Sequence, residues 1–316
     1  MLAISKRLYK LISERSPRVR ENYQIERSLS NIIYPRSLHL GVATTDTLID
    51  AGDRQIPVRH FLARESANGP FARELLLFFH GGGWVTGSVK SYDSVCAHMA
   101  RQTGRPVLSV EYRLAPEYPF PAAPDDCYFV LQHVAENAAL WNIDRDKITL
   151  VGDSAGGNLS AVLSQMTRDR GSLCPHAQIL IYPAVDDDHS PTSPYPSVHE
   201  NGEEYVLTNQ RIEDYLALYQ SSPEDTHNPY FAPIRAADLS RQPDTLILTA
   251  EFDPLRDEGE RYGQLLQRAG NHVQIHRLKD ALHGFLSTSL FPFQVLEAYE
   301  HINAFLDREP LSSTQE

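Results

Sequence analysis

The run Gly152-Asp153-Ser154-Ala155-Gly156 sets one hydroxyl between two glycines at a change of backbone direction. Apolar, β-rich residues Ile148–Val151 precede it, and Ala155, Leu159, Val162, Leu163 and Met166 follow at helical spacing, so Ser154 falls at a strand-to-helix turn. Glycine is needed at both flanks because the chain turns sharply there and a Cβ would clash. A serine at a helix N-terminus has backbone N–H donors and positive potential beside it, which suits a nucleophile whose attack creates an oxyanion. A second set, His80-Gly81-Gly82-Gly83-Trp84, follows the apolar run Leu75–Phe79. Three consecutive glycines let the backbone approach a substrate and turn N–H groups toward one point, while Trp84 anchors the far side. A plain tight turn and a flexible loop are the bland alternatives, and the strand preceding each set weighs against both.

These residues need elements to hold them. β-rich runs at Gln55–Leu62, Glu74–Phe79, Pro106–Glu111, Lys147–Val151, Ala177–Ile181, Thr245–Thr249 and His272–Leu278 alternate with helical periodicity, the pattern of a mostly parallel sheet flanked by helices. Val89, Tyr92, Cys96 and Met99 mark one helix before Gly104; Leu296, Tyr299, Ile302 and Phe305 mark another near the C-terminus. Residues 1 to about 45 precede the first expected strand. From 186 to about 225 a proline-rich polar loop leads into an expected helix, Thr208 to Tyr219. A catalytic domain over 46–309 with these two segments as a cap is the expected organisation.

The chain has 316 residues, 41% hydrophobic and 22% charged, with a formal net charge of −12. That composition suits a soluble α/β unit and argues against a nucleic-acid surface, which needs concentrated Lys and Arg. Cys96, Cys127 and Cys174 show neither disulfide-framework nor zinc spacing, which fits a reducing cytoplasm. Apolar runs are too short to span a membrane, and the N-terminus lacks a secretory pattern. Leu2, Leu8, Leu11 and Ile12 form a stripe expected to pack on the protein itself rather than on a membrane surface. His189, His199 and His227 lack metal-ligand spacing and are expected at the solvated surface, as is the run Asp186-Asp187-Asp188.

The sequence resembles the hormone-sensitive-lipase family of α/β hydrolases through HGGGW at 80–84, YRLAPE at 112–117, FPAAPDD at 120–126, GDSAGGN at 152–158, DPLRDE at 253–258 and HGF at 283–285. The resemblance implies an α/β-hydrolase fold and a catalytic triad of nucleophile Ser154, acid Asp253 and general base His283. Oxyanion donors would be the N–H groups of Gly82, Gly83 and Ala155, with His80 and Gly81 supporting the loop. Asp253 and His283 follow expected strands, and the order serine, acid, histidine is that of α/β hydrolases. Asp257, Glu258 and Asp280 lie nearby as other candidate acids, but Asp257 and Glu258 are expected to start a helix, where carboxylates favour the dipole.

The implied activity is hydrolysis of short- to medium-chain carboxylic esters through an acyl-enzyme, with no cofactor and no metal. The implied partner is a small-molecule ester, and a homo-oligomer stays open. An amidase or deacetylase of the same fold is the competing enzyme reading. A non-catalytic small-molecule receptor is the competing reading from another class, and the presence of His283 argues against it.

Overall fold

The computed structural model describes residues 18–33, 41–288 and 290–308. The N-terminal stripe of Leu2, Leu8, Leu11 and Ile12 lies outside them. Eight strands form one sheet in the order β1-β2-β4-β3-β5-β6-β7-β8. They are β1 (Val42–Asp50), β2 (Gln55–Ala63), β3 (Leu75–Phe79), β4 (Val107–Val110), β5 (Ile148–Asp153), β6 (Ala177–Ile181), β7 (Asp244–Phe252) and β8 (Val273–Leu282). β2 pairs antiparallel with β1 and β4, and every other pairing is parallel.

β1 was not expected, and it starts inside the segment assigned before the sheet. Its sequence, VATTDTLID, is polar and mostly exposed, as suits an edge strand with little apolar alternation to betray it. β7 and β8 also run longer than their apolar cores, to Phe252 and Leu282.

Helices cover both faces. They are α1 (Val19–Ile33), α2 (Asp93–Thr103), α3 (Ala122–Glu136), α4 (Ala155–Asp169), α5 (Pro196–Asn201), α6 (Asn209–Tyr219), α7 (Arg256–Arg268) and α8 (Pro292–Leu306). The period-two alternation of a strand divides β3 between two cores. Leu75, Leu77 and Phe79 pack with Val130, Leu131, Leu159 and Leu163 of α3 and α4. Leu76 and Phe78 pack with Met99 of α2 and Ile302 and Phe305 of α8. All five β3 residues are buried, which is why that strand reads as a continuous apolar run.

Two of the sequence motifs prove to be one structural joint. Arg113 donates from Nε to Asp126 Oδ2 at 2.9 Å and from Nη2 to Oδ1 at 2.9 Å, and Arg54 Nε reaches the same Oδ1 at 2.8 Å. Asp126 is fully enclosed, so these charge-assisted bonds are what make a carboxylate tolerable there. Arg27 of α1 ties the N-terminal helix to the same region, donating to the carbonyls of Val85 and Ala115, each at 2.5 Å. Val19 N donates to the buried Asp214 of α6 at 3.1 Å, so α1 is held to α6 as well.

Candidate active site

Five parallel strands end along one edge, and each is followed at once by a residue of the site. His80 follows β3, Ser154 follows β5, Tyr182 follows β6, Asp253 follows β7 and His283 follows β8. The registers Phe79↔Gly152 and Asp153↔Ile181 bring the ends of β3, β5 and β6 level, whereas Ile181↔Leu248 lets β7 run on to Phe252, which pairs with Leu282 at the end of β8. Such convergence at the carboxyl ends of a parallel sheet is where α/β proteins build their sites.

Ser154 adopts φ 55° and ψ −119°, a strained conformation for a residue with a side chain. The turn is held by its neighbours. Ser154 N donates to Ile181 O at 2.9 Å, and an added Cβ at Gly152 would strike the Gly156 carbonyl, while one at Gly156 would strike the Phe79 carbonyl. Strand β5 and helix α4 can cross this closely only with glycine on both sides of the serine.

The predicted triad residues are in contact. His283 Nε2 lies 3.0 Å from Ser154 Oγ, and His283 Nδ1 lies 2.7 Å from Asp253 Oδ2. Asp253 is fully buried, and its Oδ1 accepts from Leu255 N at 2.9 Å. With both carboxylate oxygens engaged, the acid cannot rotate away from the imidazole.

Three N–H groups can be oriented from the carbonyls that precede them, because C=O and N–H of a trans peptide point in opposite directions. The Gly82 carbonyl accepts from Val85 N at 3.1 Å and Thr86 N at 2.8 Å, which turns Gly83 N–H the other way. The Gly81 carbonyl is held by His80 Nδ1 at 2.9 Å, which does the same for Gly82. The Ser154 carbonyl accepts from Asn158 N at 3.0 Å and Ala184 N at 3.3 Å, leaving Ala155 N–H at the open first turn of α4. Gly82, Gly83, Ser154, Ala155 and His283 line one cavity of about 200 Å³.

His80 is buried, and burial lowers its pKa to about 4, so the ring is neutral with its proton on Nδ1, where Gly81 O accepts it. It stacks on Tyr112 with 4.3 Å between centroids, and Tyr112 OH donates to His80 O at 2.6 Å. Gly81 N donates to Asp153 Oδ1 at 2.9 Å.

Asp153 and Tyr182 escaped the sequence reading. Asp153 is buried beside Ser154 and accepts from Tyr92 OH at 2.9 Å and Tyr182 OH at 3.3 Å as well as from Gly81 N. Burial raises its pKa to about 6, against the lowering effect of these bonds and of His283. Tyr182 packs its ring 4.8 Å from that of His283. The available signal for both was position, since each sits at the end of an apolar strand where a polar side chain has no place in the core.

Two expectations need correction. His189 is buried, not at the surface, with Nε2 2.7 Å from Glu258 Oε2. Its partner Glu258 lies in the first turn of α7, as expected, and is fully buried there, also accepting from Val185 N at 2.7 Å. Asp186 and Asp187 are not a solvated run, because both pair with Arg235 and Asp186 accepts from Tyr195 OH at 2.6 Å. In each case a distant partner cancels the desolvation cost that made burial look improbable. His199 and His227 are exposed. Asp257 binds Arg256 and Ser197 N, and Asp280 donates its N–H to Glu251, so neither stands in for Asp253 at the imidazole.

Among the described residues, no cluster of His, Cys, Asp or Glu fits a metal ion and no helix is long and apolar enough to cross a membrane. The alpha/beta hydrolase fold family matches residues 76–287, more than half of the chain. The carboxylic ester hydrolase LipN of Mycobacterium tuberculosis is 39% identical over 252 residues, 78% of this chain and 65% of its own, so the match spans just under two thirds of that relative. An ethyl acetate hydrolase of Pseudomonas putida is 37% identical over 233 residues, 73% of this chain and 71% of its own. A solved hyperthermophilic esterase from Pyrobaculum calidifontis superposes with a TM-score of 0.84 at 35% identity, covering 97% of each chain.

Proposed function

The chain belongs to the α/β-hydrolase family, in its hormone-sensitive-lipase-like branch, and from that premise we propose that it is a serine carboxylesterase acting on short- to medium-chain acyl esters. The observation that carries the reading is the contact chain Asp253–His283–Ser154, at 2.7 and 3.0 Å, beside three outward-turned N–H groups. His283 Nε2 takes the Ser154 proton as Oγ attacks the ester carbonyl, and Asp253 holds the ring in the tautomer that leaves Nε2 free to do so. The tetrahedral oxyanion is held by the N–H groups of Gly82, Gly83 and Ala155, each worth about 3 to 4 kcal/mol in such sites. His283 then protonates the departing alkoxide, and water repeats the sequence on the acyl-enzyme.

Helix α1 and the segment from 186 to about 225 form the cap in this reading, supported by the place of Val206, Leu207, Arg211, Ile212 and Tyr215 on the cavity wall. We assign the protein to the cytoplasm, in keeping with three cysteines that are unpaired, two of them buried. The direct test is labelling with an alkyl phosphonate followed by peptide mass spectrometry. The expected adduct is on Ser154, with turnover of nitrophenyl butanoate lost in Ser154→Ala. Labelling elsewhere, or a Ser154→Ala variant with near-native turnover, refutes the assignment.

A further inference from the structure

Away from the end that holds Asp153, Ser154 and His283, the wall of the cavity is mostly apolar, built from Trp84, Val206, Leu207, Ile212, Tyr215 and Leu255, with one charged exception. Arg211 of α6 reaches the same wall. Its Nη2 donates to Glu26 Oε2 of α1 at 2.9 Å and to Tyr215 OH at 3.2 Å, and Tyr215 OH donates to the same Glu26 oxygen at 3.1 Å. The cluster is mostly enclosed, with the Arg211 and Glu26 side chains 20% and 18% exposed. It also touches the oxyanion loop, because a Cβ added at Gly83 would run into the ring of Tyr215.

A guanidinium has five N–H donors in a rigid fork. The two on Nη2 are engaged, whereas Nε and Nη1 donate to no group among the described residues. A cation with unspent donors on an apolar binding surface is the usual form of a specificity contact, since a substrate oxygen placed there gains a charge-assisted bond that a methylene cannot make. Glu26 cancels the net charge, so the arrangement suits a neutral acceptor rather than a carboxylate.

Resting on the esterase reading above, we infer that Arg211 selects esters bearing a second neutral oxygen acceptor, a ketone, ether or further ester carbonyl, over hydrocarbon esters of the same length. The bond is made to a group remote from the scissile carbonyl, and Glu26 and Tyr215 aim it.

The test measures kcat/KM by pH-stat for two matched pairs: ethyl levulinate against ethyl pentanoate for the acyl side, and methoxyethyl butanoate against butyl butanoate for the alcohol side. The expected result is a preference of about tenfold or more for the oxygenated member of at least one pair, lost in Arg211→Met. Glu26→Gln leaves Arg211 uncompensated and is expected to raise the efficiency on monoethyl succinate relative to ethyl pentanoate by about tenfold. Indifference of the wild-type enzyme in both pairs, an unchanged preference in Arg211→Met, or an unchanged succinate ratio in Glu26→Gln overturns the inference, and the first of these needs no variant. Failure to hydrolyse any of these esters refutes the esterase reading itself, whereas hydrolysis of all without preference refutes only the role of Arg211.

Discussion

Replacing Asp253 by Asn separates the role of the acid from its packing. Asp253 Oδ1 accepts from Leu255 N at 2.9 Å, so an Asn in its place keeps that bond with its carbonyl oxygen and turns its NH2 toward His283 Nδ1. An amide nitrogen donates and cannot accept. The imidazole must then present a bare Nδ1 and carry its proton on Nε2, 3.0 Å from Ser154 Oγ, where the base should be. The cation formed during attack also loses its counter-charge. Together these effects are expected to lower kcat by about 10³ to 10⁴, which is roughly 4 to 5.5 kcal/mol at 1.36 kcal/mol per tenfold. KM and the urea midpoint should move little because the Leu255 bond survives. Asp257→Asn is the control: that side chain serves Arg256 and Ser197, so it is expected to cost roughly 1 kcal/mol of stability and less than about tenfold in kcat. Initial rates on nitrophenyl butanoate, normalised by active-site titration, decide the matter. Near-native turnover in Asp253→Asn, together with collapse in Asp257→Asn, refutes the reasoning.

Gly156→Ala is expected to destabilise the protein by about 3 kcal/mol, because the new Cβ meets the Phe79 carbonyl, which is backbone and cannot swing aside; an unchanged urea midpoint contradicts this. Asp153 gives a pH signature in stability. Its folded pKa is raised from 3.8 to about 6, so the stability it contributes is fully present below about 3.8 and is lost as pH rises through about 6. Asp153→Asn removes that dependence, and the wild type should lose on the order of 3 kcal/mol relative to the variant between about pH 4 and pH 7, read from denaturant melts; parallel stability curves exclude a perturbed Asp153. A cavity of about 200 Å³ limits the acyl chain, so efficiency on nitrophenyl esters should rise by up to about 0.8 kcal/mol of binding per methylene and peak at roughly two to eight carbons. A maximum at palmitate with activation at an oil–water interface contradicts it.

What the sequence makes legible follows from how local each signal is. The turn around Ser154 and the glycine loop after β3 are set by contiguous residues, and both lie where strand-then-glycine patterning puts them. Strand interiors are equally plain, because β3, β5 and β6 are buried on both faces and read as apolar runs. β1 is invisible for the opposite reason, being a polar edge strand whose pairing with β2 supplies what its composition does not. Burial of His189 and Glu258 is illegible because each is balanced by the other, 69 positions away, and no local pattern reports such a pair.

The same distinction explains why the site divides into two kinds of residue. Ser154, Asp253 and His283 sit at the ends of parallel strands, so their mutual distances are fixed by a register that involves the whole sheet, and disturbing them requires disturbing the core. Arg211, Glu26 and Tyr215 sit on helices α1 and α6, which are joined by ion pairs and carbonyl contacts and share the apolar core through Val19, Ile212, Tyr215 and Tyr219. Arg211 and Glu26 themselves stand outside that core, so exchanging this pair leaves the sheet register untouched. The acyl transfer proposed for Ser154 therefore rests on the sheet edge, and the discrimination among esters proposed for Arg211 rests on the helices that face it.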